Sequence, residues 1–229
     1  MQDINAYNES AVQFANPTIQ PNDILKITVG AVLPEMAIPY NKIATGIGQA
    51  NTLQLMQLEG YLVSAAQTIS FPILGEISVA SKTISQLEKE LINRLEDGGH
   101  LVNPNVNVRL LNAKVTILGE VRSPGTYTFT ENNINLLQAL GLAGDLTING
   151  EREDVVLMRE VDGVRTIAHL NLTQSDWLES PYFLIKPNDV LLVSPNGATV
   201  KSANWFGNPQ NFVAVASLLI STIVLINSF

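Results

Sequence analysis

The chain is 229 residues long, 46% hydrophobic and only 15% charged, with enough apolar mass for one large core or two small ones. Its 13 basic and 21 acidic residues leave a net charge of −8, which argues against a nucleic-acid binder because nothing would neutralise phosphates. The absence of cysteine excludes disulfides, thiol catalysis and thiolate metal sites.

The opening residues, through Asn16-Pro17, are polar and aperiodic and read as an N-terminal arm over 1–16. MQDINAYNES has neither the basic start nor the apolar run of a signal peptide, so an exported protein would be present here in a mature or trimmed form. In ILKITV, the residues Ile24, Lys26 and Thr28 alternate with apolar Leu25, Ile27 and Val29, the pattern of a half-buried strand. Pro34 and Pro39 break the chain, and Thr45–Thr52 carries two glycines and no period, as a loop does. Tyr61–Val63, Thr68–Phe71 and Glu76–Val79 predict three short strands. Thr83 with Gln86 forms a capping box, and Ile84, Leu87, Leu91, Ile92 and Leu95 form an apolar stripe, so a helix runs to Asp97-Gly98-Gly99. Past Pro104, Val106, Val108 and Leu110 alternate with polar residues in a further strand.

Val115–Gly119 opens a second unit, which turns at Ser123-Pro124-Gly125 into another strand. Asn132-Asn133 precedes a short helix carrying Ile134, Leu137, Leu140 and Gly141 that ends near Gly144. The strands Asp154–Arg159 and Val164–Leu170 are joined at Asp162-Gly163, a two-residue hairpin signal. Glu151, Arg152, Glu153 and Asp154 read as a solvated turn, with a subunit-interface ion pair as the alternative. A last strand, VLLVS, follows Pro187-Asn188-Asp189.

The tail differs in kind, for Phe212–Phe229 contains no charge. As a helix it would span roughly 27 Å, close to the ~30 Å of a bilayer's hydrocarbon, with Trp205 and Phe206 placed as interfacial aromatics. Ala214, Ser217, Ser221 and Ser228 would fall near one face with Thr222 beside it, and Leu218 and Leu225 elsewhere. Such a stripe suits close helix packing or a wet lumen, and a plain single-pass anchor is the other reading.

IQPNDIL at Ile19–Leu25 returns as IKPNDVL at Ile185–Leu191. Pro21-Asn22-Asp23 and Pro187-Asn188-Asp189 each have turn chemistry before a strand. Either a favourable turn occurs twice by chance, or two related β-rich units each use it. Neither aspartate has a second carboxylate or histidine at ligand spacing, so a metal site is disfavoured. His100 and His169 are isolated and read as surface or packing residues. Arg109, Lys114 and Arg122 flank the junction of the units, as solvated strand faces by default or as contacts to an acidic sugar chain. With no phosphate-binding glycine loop and no nucleophile elbow, no enzyme and no cofactor are expected.

Pro21-Asn22-Asp23 leading into ILKITV, then GYLVSAAQTISFPILGEISVASKTISQLEKEL and PNVNVRL, resembles the polysaccharide export domain of the Wza-like outer-membrane family. VTILGEVRSPGTYTF, with Gly119, Pro124 and Gly125 at its turn, together with LLQALGLAG and LIKPNDVLLVSP, resembles the β-grasp repeat called SLBB that follows that domain in the family. The resemblance implies an α+β chain: a β-rich polysaccharide export domain (17–112), one SLBB β-grasp-like domain (113–196), and a linker with a C-terminal transmembrane helix (197–229). It also implies an outer-membrane subunit of a homo-oligomeric ring, octameric in the best-known case, whose body lies in the periplasm. That ring would pass capsular or exopolysaccharide outward, with an inner-membrane polysaccharide co-polymerase and outer-membrane lipid as partners. Family members are lipoproteins; the lipid-bearing cysteine is missing here, so lipidation would belong to a precursor. The alternative is a membrane-tethered glycan- or ligand-binding SLBB module without a pore.

Overall fold

The computed structural model describes residues 17–42, 60–131 and 133–197. Strand β1 (Ile24–Gly30) buries Leu25, Ile27 and Val29 and leaves its polar positions outward. It pairs antiparallel with β2 (Tyr61–Leu62) and with β5 (Asn105–Leu110), in the order β2-β1-β5. A short helix, α1 (Pro34–Ala37), follows β1, and β3 (Thr68–Phe71) with β4 (Gly75–Ser78) forms a separate hairpin.

Helix α2 (Ile84–Asp97) begins where the sequence places it. The Gln86 N–H donates to Thr83 Oγ1 at 3.3 Å, and the Thr83 N–H donates to Gln86 Oε1 at 2.9 Å. Leu87, Leu91 and Leu95 are fully buried in one core with Leu25, Ile69 and Ile77. Truncating any one of these leucines to alanine would cost about 2–5 kcal/mol. On the same helix, Glu88 Oε1 accepts the Val108 N–H at 2.8 Å, fastening α2 to β5.

A second core lies over β6 (Lys114–Gly119), β7 (Gly125–Thr128), β9 (Gly150–Val161), β10 (Val164–Leu170) and β12 (Val190–Pro195), a five-stranded sheet in the order β10-β9-β12-β6-β7. The last strand in sequence is central in space: β12 runs parallel to β6 and antiparallel to β9. Helix α3 (Leu136–Leu142) buries Leu136, Ala139 and Leu140 on one face of this sheet. Trp177 and Ile185 enter the same core from the segment 171–185, where β11 (Leu184–Ile185) pairs with β8 (Ile134–Asn135).

Three expectations need correction. Ile134, expected on the short helix, lies in β8, because α3 starts only after Asn135, whose side chain accepts the Gln138 N–H at 2.8 Å as the cap. Glu151–Asp154 lies within β9 rather than in a turn, because the strand continues back to Gly150, where it pairs with Pro195. The fold class is corrected too. The described chain is β-rich with few helices, and among the described residues no helix is long and apolar enough to cross a membrane. The longest, α2, has 14 residues, about 21 Å of rise, and a charged outer face. A C-terminal transmembrane helix is therefore not part of the observed architecture. Trp205, Phe206 and the segment Phe212–Phe229, with Ala214, Ser217, Leu218, Ser221, Thr222, Leu225 and Ser228, lie outside the described residues.

Candidate functional site at the junction of the two cores

The repeated heptapeptide forms the same turn twice. Asn22 and Asn188 both sit at φ 69°, the left-handed conformation that a Pro-Asn turn requires at its third residue and that asparagine tolerates. The Asp23 N–H closes the first turn onto the Gln20 carbonyl, and the Asp189 N–H closes the second onto the Lys186 carbonyl, both at 3.2 Å. Each carboxylate bends back over its turn: Asp23 Oδ2 accepts the Gln20 N–H and Asp189 Oδ2 the Lys186 N–H, both at 2.8 Å. Even the grip on the neighbouring strand repeats. Asn22 donates to the Val63 carbonyl and the Val63 N–H to the Asp23 carbonyl; Asn188 donates to the Lys114 carbonyl and the Thr116 N–H to the Asp189 carbonyl.

The two buried carboxylates differ in what faces them. Asp189 meets Arg159 in a fork, with Nε at 2.9 Å from Oδ1 and Nη2 at 2.7 Å from Oδ2. The Arg159 guanidinium also donates to the carbonyls of Leu184 and Pro181, tying β9, β12 and the 180–185 segment together. Burial pushes the Asp189 carboxyl up, against the pull of Arg159 and the Lys186 N–H. Asp23, 5% exposed, has no such fork. Burial pushes its carboxyl from 3.8 to about 6, with only the Gln20 N–H holding it down.

Asp23 lines a small cleft between the cores, with Ile19, Leu110, Val161, Lys186 and Pro187 among its walls. Two contacts close the junction around it. Gln20 and Asp162 exchange a pair of hydrogen bonds, the Asp162 N–H to Gln20 Oε1 at 3.2 Å and Gln20 Nε2 to Asp162 Oδ1 at 3.3 Å, so the β9–β10 hairpin tip touches the first turn. Asn112, in the segment between the cores, accepts the Ile24 N–H and donates to the Asn22 carbonyl, both at 2.9 Å. The arrangement is a mechanical joint. Among the described residues no cluster of His, Asp and Glu is disposed to hold a metal.

At the other turn, Gly119 has φ 87°, and a Cβ there would stand 2.0 Å from the Val193 carbonyl oxygen, so only glycine lets β6 approach β12. Gly125 opens β7 opposite Ile117, and Pro124 lies in the connection held by Tyr127, whose hydroxyl donates to the Ser123 carbonyl. Arg109, Lys114 and Arg122 are not brought together: Arg109 is on β5, Lys114 starts β6, and Arg122 packs beneath Gly144. His100 is set edge-on to Tyr40 at 5.9 Å, and His169 Nδ1 lies 2.6 Å from Asp154 Oδ1.

The residues that sequence reasoning missed are Arg159, Asn112, Gln20 and Asp162. Arg159 could have been found, because it continues the inward series Val155, Leu157 at the strand's period of two. Asn112 and Gln20 had no such signal.

Residues 12–111 match the family described as polysaccharide biosynthesis/export protein, and residues 114–167 match the SLBB domain. Among curated proteins, the chain is similar to the EPS I polysaccharide export outer membrane protein EpsA of Ralstonia solanacearum, 26% identical over 77% of this chain and 47% of that one. It is also similar to the capsule polysaccharide export outer membrane protein CtrA of Neisseria meningitidis, 27% identical over 89% of this chain and 51% of that one. A shorter match joins it to the exopolysaccharide production protein ExoF of Rhizobium meliloti, 29% identical over 40% of this chain and 23% of that one. The chain spans about half the length of the first two relatives. Residues 12–111, which carry the first core, belong to the polysaccharide biosynthesis/export family, and residues 114–167, which open the second, to the SLBB family.

Proposed function

We propose that the protein is a subunit of a homo-oligomeric outer-membrane channel that passes capsular or exopolysaccharide from the periplasm to the cell surface. The observation that carries this reading is the export domain followed, two residues on, by an SLBB domain, in a chain similar to EpsA and CtrA, which are both named as polysaccharide export outer membrane proteins. The export domain would span 17–112 and the SLBB domain 113–196, both in the periplasm. Passive conduction needs walls and rigid joints rather than catalytic groups, and the tightly bonded junction fits that demand. The polymer, an inner-membrane polysaccharide co-polymerase and outer-membrane lipid would be its partners, and lipidation would belong to the precursor.

Deleting the gene in its source bacterium and assaying polysaccharide by compartment tests the reading. The expected outcome is loss of surface polymer with polymer retained inside the cell, restored by the intact gene. Unchanged surface polysaccharide in the deletion would refute export and leave an SLBB glycan-binding module as the better description.

A further inference from the structure

Among the described residues, the sheet of the SLBB core is covered on one face only. Val115, Ile117, Val155, Leu157, Leu191 and Val193 point into the core beneath α3. By the period of two, the intervening residues point the other way. Strand register then sets Ile167, Met158 and Val190 side by side in one row, and Val156, Leu192 and Leu118 in the next. These six make an apolar band across four strands, with Ile167 58% and Leu118 41% exposed, and none of the six belongs to the second core's packing. A bare apolar face on a sheet is a surface that seeks a second layer.

The opposite side of the same domain offers one. Helix α3 turns Leu137, 48% exposed, and Leu142, 45% exposed, away from its own core, beside an open groove at Phe129, Ile134 and Gly141. The charges match as well. Around the bare sheet face Arg165 is paired with Glu160, Asp154 with His169, and Arg152 reaches Asp145 at 4.0 Å, while Lys114 at the start of β6 has no ion-pair partner among the described residues. The layer containing α3 and the 171–185 segment exposes Glu131, Asp176 and Glu179, and no Lys or Arg occurs from 123 to 151 or from 166 to 185.

We propose that a second copy of this chain covers the bare sheet face with its α3 layer, so that SLBB domains stack head to tail. Two bare sheet faces meeting each other would leave both Lys114 side chains and both acidic helix layers unmatched. The head-to-tail contact uses two different patches per subunit, the arrangement that closes into a ring when its rotation permits. The inference rests on the homo-oligomeric reading above and adds the surfaces that make it.

The test uses the full chain in detergent, with sedimentation velocity as the readout and circular dichroism as the control for folding. Ile167→Arg breaks the sheet face and Leu137→Arg the helix layer, both at exposed positions. Each variant alone should lose all species above the monomer, and an equal mixture should recover a heterodimer through its one intact junction. Assembly of either variant as wild type would overturn the proposed contact while leaving homo-oligomerisation intact. A monomeric wild type would overturn both. Because the chain has no cysteine, Ile167→Cys and Leu142→Cys give a second measurement with a flexible bismaleimide. The double variant should give a ladder beyond the dimer and each single variant none. A dimer from Ile167→Cys alone would mean that sheet faces meet each other, against the proposal.

Discussion

Asp23 and Asp189 hold the same backbone turn under different electrostatic conditions, so the same substitution should act on them with opposite sign. The folded pKa of Asp23, about 6, lies above its ordinary 3.8, so the native state binds this proton more tightly than the unfolded chain. The stability tied to it is fully present below pH 3.8 and is lost as the pH rises through 6, amounting to about 3 kcal/mol. Asp23→Asn keeps an acceptor for the Gln20 N–H and removes the charge. Denaturant melts should therefore show the variant more stable than wild type at pH 7.5, by up to about 3 kcal/mol, and equal to it at pH 3.5. Asp189→Asn strands the buried Arg159 guanidinium and should cost about 3–5 kcal/mol at pH 7.5. Matching signs at pH 7.5 would refute the distinction.

Between elements, the tightest constraint is the approach of β6 to β12 at Gly119. Its φ of 87° alone would charge a side chain about 1–3 kcal/mol, and the Val193 carbonyl blocks the place a Cβ would take. Gly119→Ala should destabilise the SLBB core by more than about 2 kcal/mol and leave the first core unchanged. The check is two-step chemical denaturation, in which only one transition moves. Elements of this kind were largely legible in the sequence. The alternation in ILKITV and the Thr83–Gln86 box are local, and their structure follows from neighbours within one turn or strand. The pairing of β12 between β6 and β9 is long-range, and no period in VLLVS reveals it. The PND turns were legible as turns, yet their opposite charge environments depend on Arg159, 30 residues from Asp189 in sequence, and on its absence beside Asp23. The apolar tail read as a membrane helix on composition alone, and no such helix occurs among the described residues.

At the scale of the whole molecule, the side chain of Asn112 fastens the connection between the two cores to the first turn and to β1. Its amide replaces backbone pairing for Ile24 and Asn22, so Asn112→Ala would leave a β1 amide and a turn carbonyl unmet. Both cores should stay folded, while the Ile24 amide exchanges about 5–150-fold faster, as expected for about 1–3 kcal/mol lost locally. Hydrogen exchange read by NMR checks this, and unchanged protection at Ile24 would show that the joint is held elsewhere.

The placement of β12 also sets an order in time. The first core is complete once the chain has reached Leu110, and it can close while the rest is still being made. The five-stranded sheet cannot. Its middle strand is its last, and β6 must wait more than seventy residues of synthesis for the partner at Val190–Pro195. Until then Val115 and Ile117 have no neighbour on that side, and the SLBB half of a nascent chain is an open edge rather than a domain.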